Sequence, residues 1–398
     1  MIDLCSDKNT CCGCGACKSI CPKLAISMKN DEYGYKYPNI DSKLCIECHL
    51  CEKICAFKNT SISNKKPLRS YLAINIDTKD LLNSASGGAF AAIAKFVLNN
   101  NGVIVGCAWN NELKPEHILI DNYENLYKLQ GSKYVQSDTE KIFKETKQLL
   151  INKKKVFFTG TPCQVAELKQ YLGKDYNHLL TADIICHGVP NIEIFSSYIK
   201  WFEDKRKCKV LNVNFRDKCK LGWSSIGSIT YQKNNKIKKQ IILYNENPYY
   251  YLFEYGFILR DSCYNCKYAC SDRKGDITLG DFWGVEKYYP ELDKSKGVSA
   301  LLVNTNKGQE IIEKLKDYII IIPTKYKYIE ENNDRLKYPL KQPKDRKIWV
   351  KCWKTGGFDQ VARKFYKEKR NIILISKIKR NIPKGLKNSI KKIISFLF

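Results

Sequence analysis

The chain has 398 residues, more than one compact core usually needs, so two or three domains are expected. A hydrophobic content of 44% excludes wholesale disorder, and the absence of any run of about 20 apolar residues argues against a transmembrane helix. The net charge of +27 is uneven: residues 341–398 hold 18 Lys and Arg against three acids, so over half of the excess sits in this last stretch. The 19 cysteines are clustered, and Met1–Cys12 is short and polar with no apolar leader. Clustered cysteines in a chain read as cytoplasmic point to metal or redox chemistry, not to a disulfide framework.

The first predicted unit, residues 1–62, carries the strongest signal. Cys11, Cys14, Cys17 and Cys21 followed by Pro22 spell C-x2-C-x2-C-x3-C-P, and Cys45, Cys48, Cys51 and Cys55 repeat the spacing with Ala56 in place of the proline. Two-residue gaps bring three sulfurs around one cubane, while the fourth cysteine of each run leaves on a helical turn and reaches the other cluster. The expected sets are therefore Cys11, Cys14, Cys17 and Cys55 for one [4Fe–4S] cluster, and Cys45, Cys48, Cys51 and Cys21 for a second. A zinc site would show two CxxC pairs parted by a longer loop. Gly13 and Gly15 relieve crowding around the sulfurs, and Cys12 is surplus to the pattern.

Residues 63–70, with Asn64-Lys65-Lys66-Pro67, read as a linker. From Tyr71 to residue 335 strands and helices alternate. Strands are expected at Tyr71–Asn75, Gly102–Ala108, Lys155–Thr159, Leu180–Cys186, Val210–Phe215, Ile226–Tyr231, Ile241–Tyr244, Asp276–Gly280, Val298–Val303 and Ile319–Ile322. Helices are expected at Ala89–Asn99, Thr139–Ile151, Pro162–Leu172, Glu193–Arg206, Pro248–Ile258 and Gly308–Lys316. Residues 336–398 form a basic tail, in which Leu386, Ile390, Ile393, Ile394 and Leu397 share one helical face.

Several turns in the large unit carry polar small residues where strands meet helices, the usual ligand position in an α/β sheet. Ser84-Ala85-Ser86-Gly87-Gly88 precedes a helix and offers N–H groups to an anion. The motifs SASGGAF (84–90), GSKYVQS (131–137), TGTPCQVA (159–166), CHGVP (186–190), NFRDK (214–218), CYNCKYAC (263–270) and DITLGDFWG (276–284) together resemble the coenzyme F-420 hydrogenase/dehydrogenase beta-subunit family, which includes chlorophyll-derivative reductases and subunits of deazaflavin-dependent dehydrogenases. The resemblance covers roughly residues 1–305. With the cysteine spacing, the alternating elements and the basic tail, the expected fold is α+β: a ferredoxin-like dicluster domain, a larger mixed α/β domain that the resemblance implies binds flavin, and a basic helical C-terminal tail. The resemblance further implies bound FAD held without a GxGxxG fingerprint. Ser86, Gly87 and Gly88 would flank the flavin phosphates, and Gly131, Ser132, Lys133, Tyr134, Gly160, Thr161, Pro162 and Gln164 would complete the pocket. Lys133 would sit at the N1–C2=O edge; the competing reading is a lysine satisfying a backbone carbonyl.

Cys263, Cys266 and Cys270 form a third thiol group that needs a fourth ligand, with Cys186 preferred and Cys163 the other candidate. A third [4Fe–4S] cluster is expected there, against a zinc site or a structural trio. His187 invites a proton-donor role or a structural one, and no acid–base pair stands out. The expected function is an iron–sulfur flavoprotein oxidoreductase that exchanges electrons with a redox partner protein or a small hydride carrier. Its alternatives are a non-catalytic electron carrier and a reductase of a sugar or lipid intermediate in a surface-polysaccharide pathway. The tail suits either peripheral contact with the inner face of the membrane or docking on a partner, and no nucleic-acid binding is expected.

Overall fold

The computed structural model describes residues 2, 4–219 and 222–381, so the apolar positions 386–397 of the expected tail face lie outside the described residues. The cysteine-rich unit contains α1 (Ala16–Ile20), β1 (Ile26–Asn30), β2 (Lys36–Ile40), α2 (Leu50–Lys53) and α3 (Ala56–Asn59). The β1–β2 hairpin, which joins the two cysteine runs, has no counterpart among the expected strands. Its turn is held by Asp31, whose Oδ1 accepts the Tyr33 and Tyr35 N–H groups, each at 2.9 Å.

The large unit begins with β3 (Arg69–Asn75), α4 (Thr78–Asn83), α5 (Ala89–Asn99), β4 (Val103–Trp109), β5 (Pro115–Ile120), α6 (Leu126–Leu129), α7 (Ile142–Ile151), β6 (Val156–Gly160) and α8 (Pro162–Leu172). It continues with β7 (Leu179–Ile184), α9 (Ile192–Arg206), β8 (Lys209–Asn214), β9 (Ile226–Lys233), β10 (Lys236–Leu243), α10 (Pro248–Glu254), α11 (Asp261–Tyr264) and β11 (Ile277–Asp281). Then come β12 (Ser299–Val303), α12 (Asn306–Glu313), β13 (Ile319–Pro323), α13 (Tyr326–Glu331), α14 (Arg346–Glu368) and α15 (Arg370–Asn381).

Eight strands form one mixed sheet in the order β13-β3-β12-β11-β7-β6-β4-β5. Its centre, β11-β7-β6-β4, is parallel, and antiparallel pairs flank it on both sides. Parallel strands covered on both faces read as continuous apolar runs, as Val156-Phe157-Phe158 does. Adjacent side chains take opposite faces. Phe157 packs with Ile93, Leu180 and Ile277 under α5, whereas Phe158 packs with Phe143, Val165 and Leu168 under α7 and α8. Strand β5 escaped sequence reading because Pro115 opens it on an edge.

A smaller antiparallel sheet, β10-β9-β8, shares a core with α9, α10 and α14. Here the expected tail from residue 336 is corrected. Trp349, Val350, Trp353, Phe358, Val361 and Phe365 of α14 are buried against the aromatic residues of α9 and α10, so the helix belongs to the core of the large unit. Its lysines occupy the outer face, and their charge hid the apolar spacing.

The cysteine-rich unit is built into the large one. Ala56 is fully buried, Tyr35 Oη donates to Ile258 O at 2.7 Å, and Thr139 Oγ1 donates to Cys14 O at 2.8 Å. The segment read as a linker is pinned at both ends, by Ser63 N to Asp272 Oδ2 at 2.8 Å and Leu68 N to Val303 O at 2.7 Å.

Candidate metal and cofactor site

Gly13 and Gly15 lie at φ 67° and 78°, backbone that favours glycine, and turn the first cysteine loop tightly. Around it the Cys11, Cys14, Cys17 and Cys55 thiols lie in one another's electrostatic field. Burial pushes Cys17 up and Cys55 up to about 11. Cys11 instead falls to about 6, through a hydrogen bond with Cys5 and the nearby Arg260, and against its burial. Cys21, Cys45, Cys48 and Cys51 line a small hollow beside Ile26, Ile40 and Leu50, with Cys48 exposed. No disulfide joins the described cysteines. Two sets of four sulfur donors, grouped as the spacing predicts, suit cubane iron–sulfur clusters. We refer to them as the inner and outer sites.

Beyond the inner site lies Glu167 of α8. Ligand atoms of Cys12, Cys14 and Glu167 fall within 4.8 Å of one another. Since Cys14 already belongs to the inner set, a separate ion there would compete with it. Burial raises the Glu167 carboxyl to about 7, and its Oε1 accepts from Phe57 N at 3.3 Å. Cys12, whose Sγ donates to Glu167 Oε1 at 4.0 Å, also neighbours Cys163, each thiol acting on the other's pKa.

Cys163 opens the third group. It lies in the first turn of α8 just after β6, and Cys186 follows β7, so adjacent parallel strands deliver both to one edge of the sheet. Burial pushes Cys186 and Cys266 up to about 12, and the charge of Cys163 acts on both. Cys263 feels Cys186, Cys266 and Cys163. Cys270, which the spacing places in this set, donates its Sγ–H to the carbonyls of Lys267 at 3.3 Å and Asp272 at 3.6 Å. Cys163, Cys186, Cys263 and Cys266 thus lie in one another's electrostatic field, which makes Cys163 a candidate ligand beside Cys186.

A cleft of about 750 Å³ opens at the carboxyl edge of the parallel strands, where open α/β sheets bind ligands. Ser86, Gly88, Gly131, Ser132, Lys133, Tyr134, Gly160, Thr161 and Gln164 line it, together with Cys186 and His187. Gly87 and Pro162 do not. Gly87 packs against the backbone of β3 and β12, where no Cβ would fit, and Pro162 is the buried first residue of α8. Lys133 Nζ donates to Lys128 O and Gln130 O, both at 2.9 Å, and burial lowers its pKa to about 8. His187 is held neutral, lowered to about 4 by burial, with Nε2 donating to Phe253 O at 3.2 Å. This favours its structural reading.

Sequence reading missed a network on the cleft wall. Gln164 Nε2 donates to Ser137 Oγ at 2.9 Å, Ser137 Oγ donates to His117 Nδ1 at 3.0 Å, and His117 Nε2 donates to Thr159 O at 3.0 Å. Burial lowers His117 to about 4, which keeps it neutral and fixes this direction of donation. Opposite, Arg216 forms a bidentate pair with Asp281 at 2.7 and 3.1 Å and lies 4.9 Å over the Trp283 ring, which stacks on Trp223. Arg335 also lines the cleft, and its buried Nη1 has no partner among the described residues.

Residues 10–59 match the 4Fe-4S dicluster domain, and residues 153–326 match the C-terminal part of the coenzyme F420 hydrogenase/dehydrogenase beta subunits. One chain thus joins a 4Fe-4S dicluster domain to a region that matches the C-terminal part of the coenzyme F420 hydrogenase/dehydrogenase beta subunits. It is 24% identical over 267 residues to a subunit of the F(420)H(2) dehydrogenase of Methanosarcina mazei, covering 64% of this chain and 74% of that one. It is also 24% identical over 165 residues to the coenzyme F420-dependent sulfite reductase of Methanocaldococcus jannaschii, 41% of this chain but only 25% of that enzyme. The cysteine-rich unit is 38% identical over 58 residues to a ferredoxin-like protein in the nif region of Rhizobium leguminosarum bv. trifolii, covering 83% of it. One polypeptide of the F420-reducing [NiFe] hydrogenase complex of Methanosarcina barkeri superposes at a TM-score of 0.43 with 15% identity, over 77% of this chain and 91% of that one. No helix among the described residues is long and apolar enough to cross a membrane.

Proposed function

We propose that this chain is an electron-transfer oxidoreductase with two [4Fe–4S] clusters in its ferredoxin unit, a third held by Cys163, Cys186, Cys263 and Cys266, and FAD in the cleft. It would exchange a hydride with a soluble carrier, for which a deazaflavin of the F420 type is the first candidate given the relatives. The observation that carries this reading is continuity. Cys14 of the inner site adjoins Cys12 and Glu167, Cys12 adjoins Cys163, and Cys186 of the third group lines the cleft. When bound, FAD would supply the interconversion of single electrons and hydride that clusters alone lack.

The chain's own residues are suited to hold such a group. The Ser84–Gly88 turn leads into α5, an eleven-residue helix whose N-terminal N–H groups favour phosphate. Lys218, lowered to about 7 by burial, donates to the carbonyls of Leu81 and Ser86 and so fixes that turn. Lys133, Arg216 and Arg335 place cations around the cleft for anionic parts of a cofactor or carrier. A cleft of this size argues against a purely passive electron carrier.

Anaerobic purification followed by flavin extraction tests the proposal. One FAD per chain, bleached by dithionite and reoxidised by the oxidised carrier, is the expected result. A reconstituted chain with full iron and no flavin would leave only the electron-carrier reading.

A further inference from the structure

Four arginines of the described chain are buried: Arg216, Arg260, Arg273 and Arg346. Three have a carboxylate partner, Asp281 for Arg216, Asp183 for Arg273 and Asp261 for Arg346. Arg260, only 1% exposed, has none among the described residues. Its neighbour Asp261 is turned to Arg346 at 2.5 Å.

The Arg260 guanidinium is aimed at the inner site instead. Nε donates to Cys11 O at 2.7 Å, Nη2 to Lys36 O at 2.8 Å and to Cys11 Sγ at 3.8 Å, and Nη1 to Gln136 Oε1 at 3.3 Å. Gln136 Nε2 in turn donates to Cys12 O at 2.7 Å, so the pair clamps the first cysteine loop from the large unit. The Tyr37 ring lies 4.2 Å away and Tyr35 5.4 Å away, walling the cation from water. A Cβ on Gly13 would strike this guanidinium, which ties the glycine to the cation.

A guanidinium cannot shed its proton, and leaving one buried without a counter-charge is costly. We infer that Arg260 is the fixed counter-charge of the inner iron–sulfur site, and that it raises the inner reduction potential above that of the outer site. A thiolate-ligated cubane carries net negative charge that grows by one when one electron enters, and potential follows net charge and hydrogen bonds to sulfur. A buried cation beside Cys11 therefore favours the reduced form, with no proton moved. The outer site lacks this device. Among the described residues no arginine or lysine donates to the sulfurs of Cys21, Cys45, Cys48 or Cys51, and Cys48 is open to solvent. Electrons accepted at the outer site thus settle on the inner one, beside the large unit. The inference rests on the iron–sulfur reading above and adds a direction to it.

Anaerobic redox titration of the cluster EPR signals tests it, in the full-length chain and its Arg260→Gln and Arg260→Lys variants. A Cys48→Ser background identifies the inner signal. Arg260→Gln should lower the inner midpoint by at least about 59 mV, a tenfold change in the reduced-to-oxidised ratio for one electron. The outer midpoint should not move, and Arg260→Lys should stay nearer to the parent. An inner midpoint unchanged in Arg260→Gln, or equal shifts of both sites, overturns the inference. If Arg260→Gln fails to hold iron, Arg260→Lys decides: retained iron with a near-parental midpoint supports the counter-charge, and loss of iron there too assigns Arg260 a packing role only. Iron and sulfide are counted first. Their absence from the parent chain would defeat the proposed function itself, whereas full clusters with unmoved potentials defeat only the role of Arg260.

Discussion

Replacing Asp183 by Asn should cost the fold about 3–5 kcal/mol, the usual penalty for removing one partner of a buried ion pair. Asp183 is the penultimate residue of the parallel strand β7, and its side chain and that of Arg273 are 0% and 1% exposed. Its Oδ1 accepts from Arg273 Nη2 at 2.9 Å and Thr278 Oγ1 at 2.7 Å, and Oδ2 accepts the N–H groups of Lys274 at 2.9 Å and Gly275 at 2.8 Å. An amide in either orientation sets an NH2 group against donors and leaves a guanidinium buried without an anion. Arg273 also donates to the Tyr268 and Cys270 carbonyls, so the loop that follows Cys266 should loosen with it. Anaerobic urea denaturation followed by tryptophan fluorescence reads the effect. With a slope near 3 kcal/mol/M, the midpoint should fall by about 1 M or more. The double variant Asp183→Asn/Arg273→Met, which removes both charges, should recover a large part of the loss. A single variant within about 0.3 M of the parent would refute the reasoning.

Cys163→Ser should lower bound iron by roughly a third, while Cys270→Ser should leave it unchanged, as counted by anaerobic iron and sulfide analysis; the opposite result restores Cys270 as ligand. Acid should destabilise the chain between pH 6.5 and about 4. The folded state keeps His117 and His187 neutral down to about 4, whereas the unfolded imidazoles protonate near 6.5. At these two sites the unfolded state then binds more protons in that window, so the histidines' contribution to stability rises with pH across it and is steady above, while Glu167, raised to about 7, opposes it. His117→Gln should flatten part of this slope in urea midpoints taken across the range. Trp353→Ala in α14 should cost about 3–5 kcal/mol and exposed Lys351→Ala almost nothing, which separates a core helix from a charged tail.

The eight ferredoxin cysteines were legible because cluster ligation is encoded in local spacing. Helices α5 and α8 were read to the residue because their caps are written beside them. Gly88 takes the left-handed conformation before α5, and Thr161, Pro162 and Gln164 form the capping box of α8, with Gly173 closing it. What failed depended on distant segments meeting. The spacing C-x2-C-x3-C of Cys263, Cys266 and Cys270 is local, whereas the electrostatic influence of Cys163 on Cys186, Cys263 and Cys266 comes from the ends of β6 and β7, which no local pattern announces. Ser137 and His117 join only through β5, whose opening proline hides it. Arg260 sits three residues before Cys263, and nothing near it in the chain shows that its partner is Cys11.

Anaerobic preparation with iron, inorganic sulfide and zinc counted per chain tests the central claim most directly. The account predicts iron and sulfide in equal amounts, about eight of each from the ferredoxin unit and about twelve with the third group. Zinc in place of iron, with no acid-labile sulfide, would contradict it.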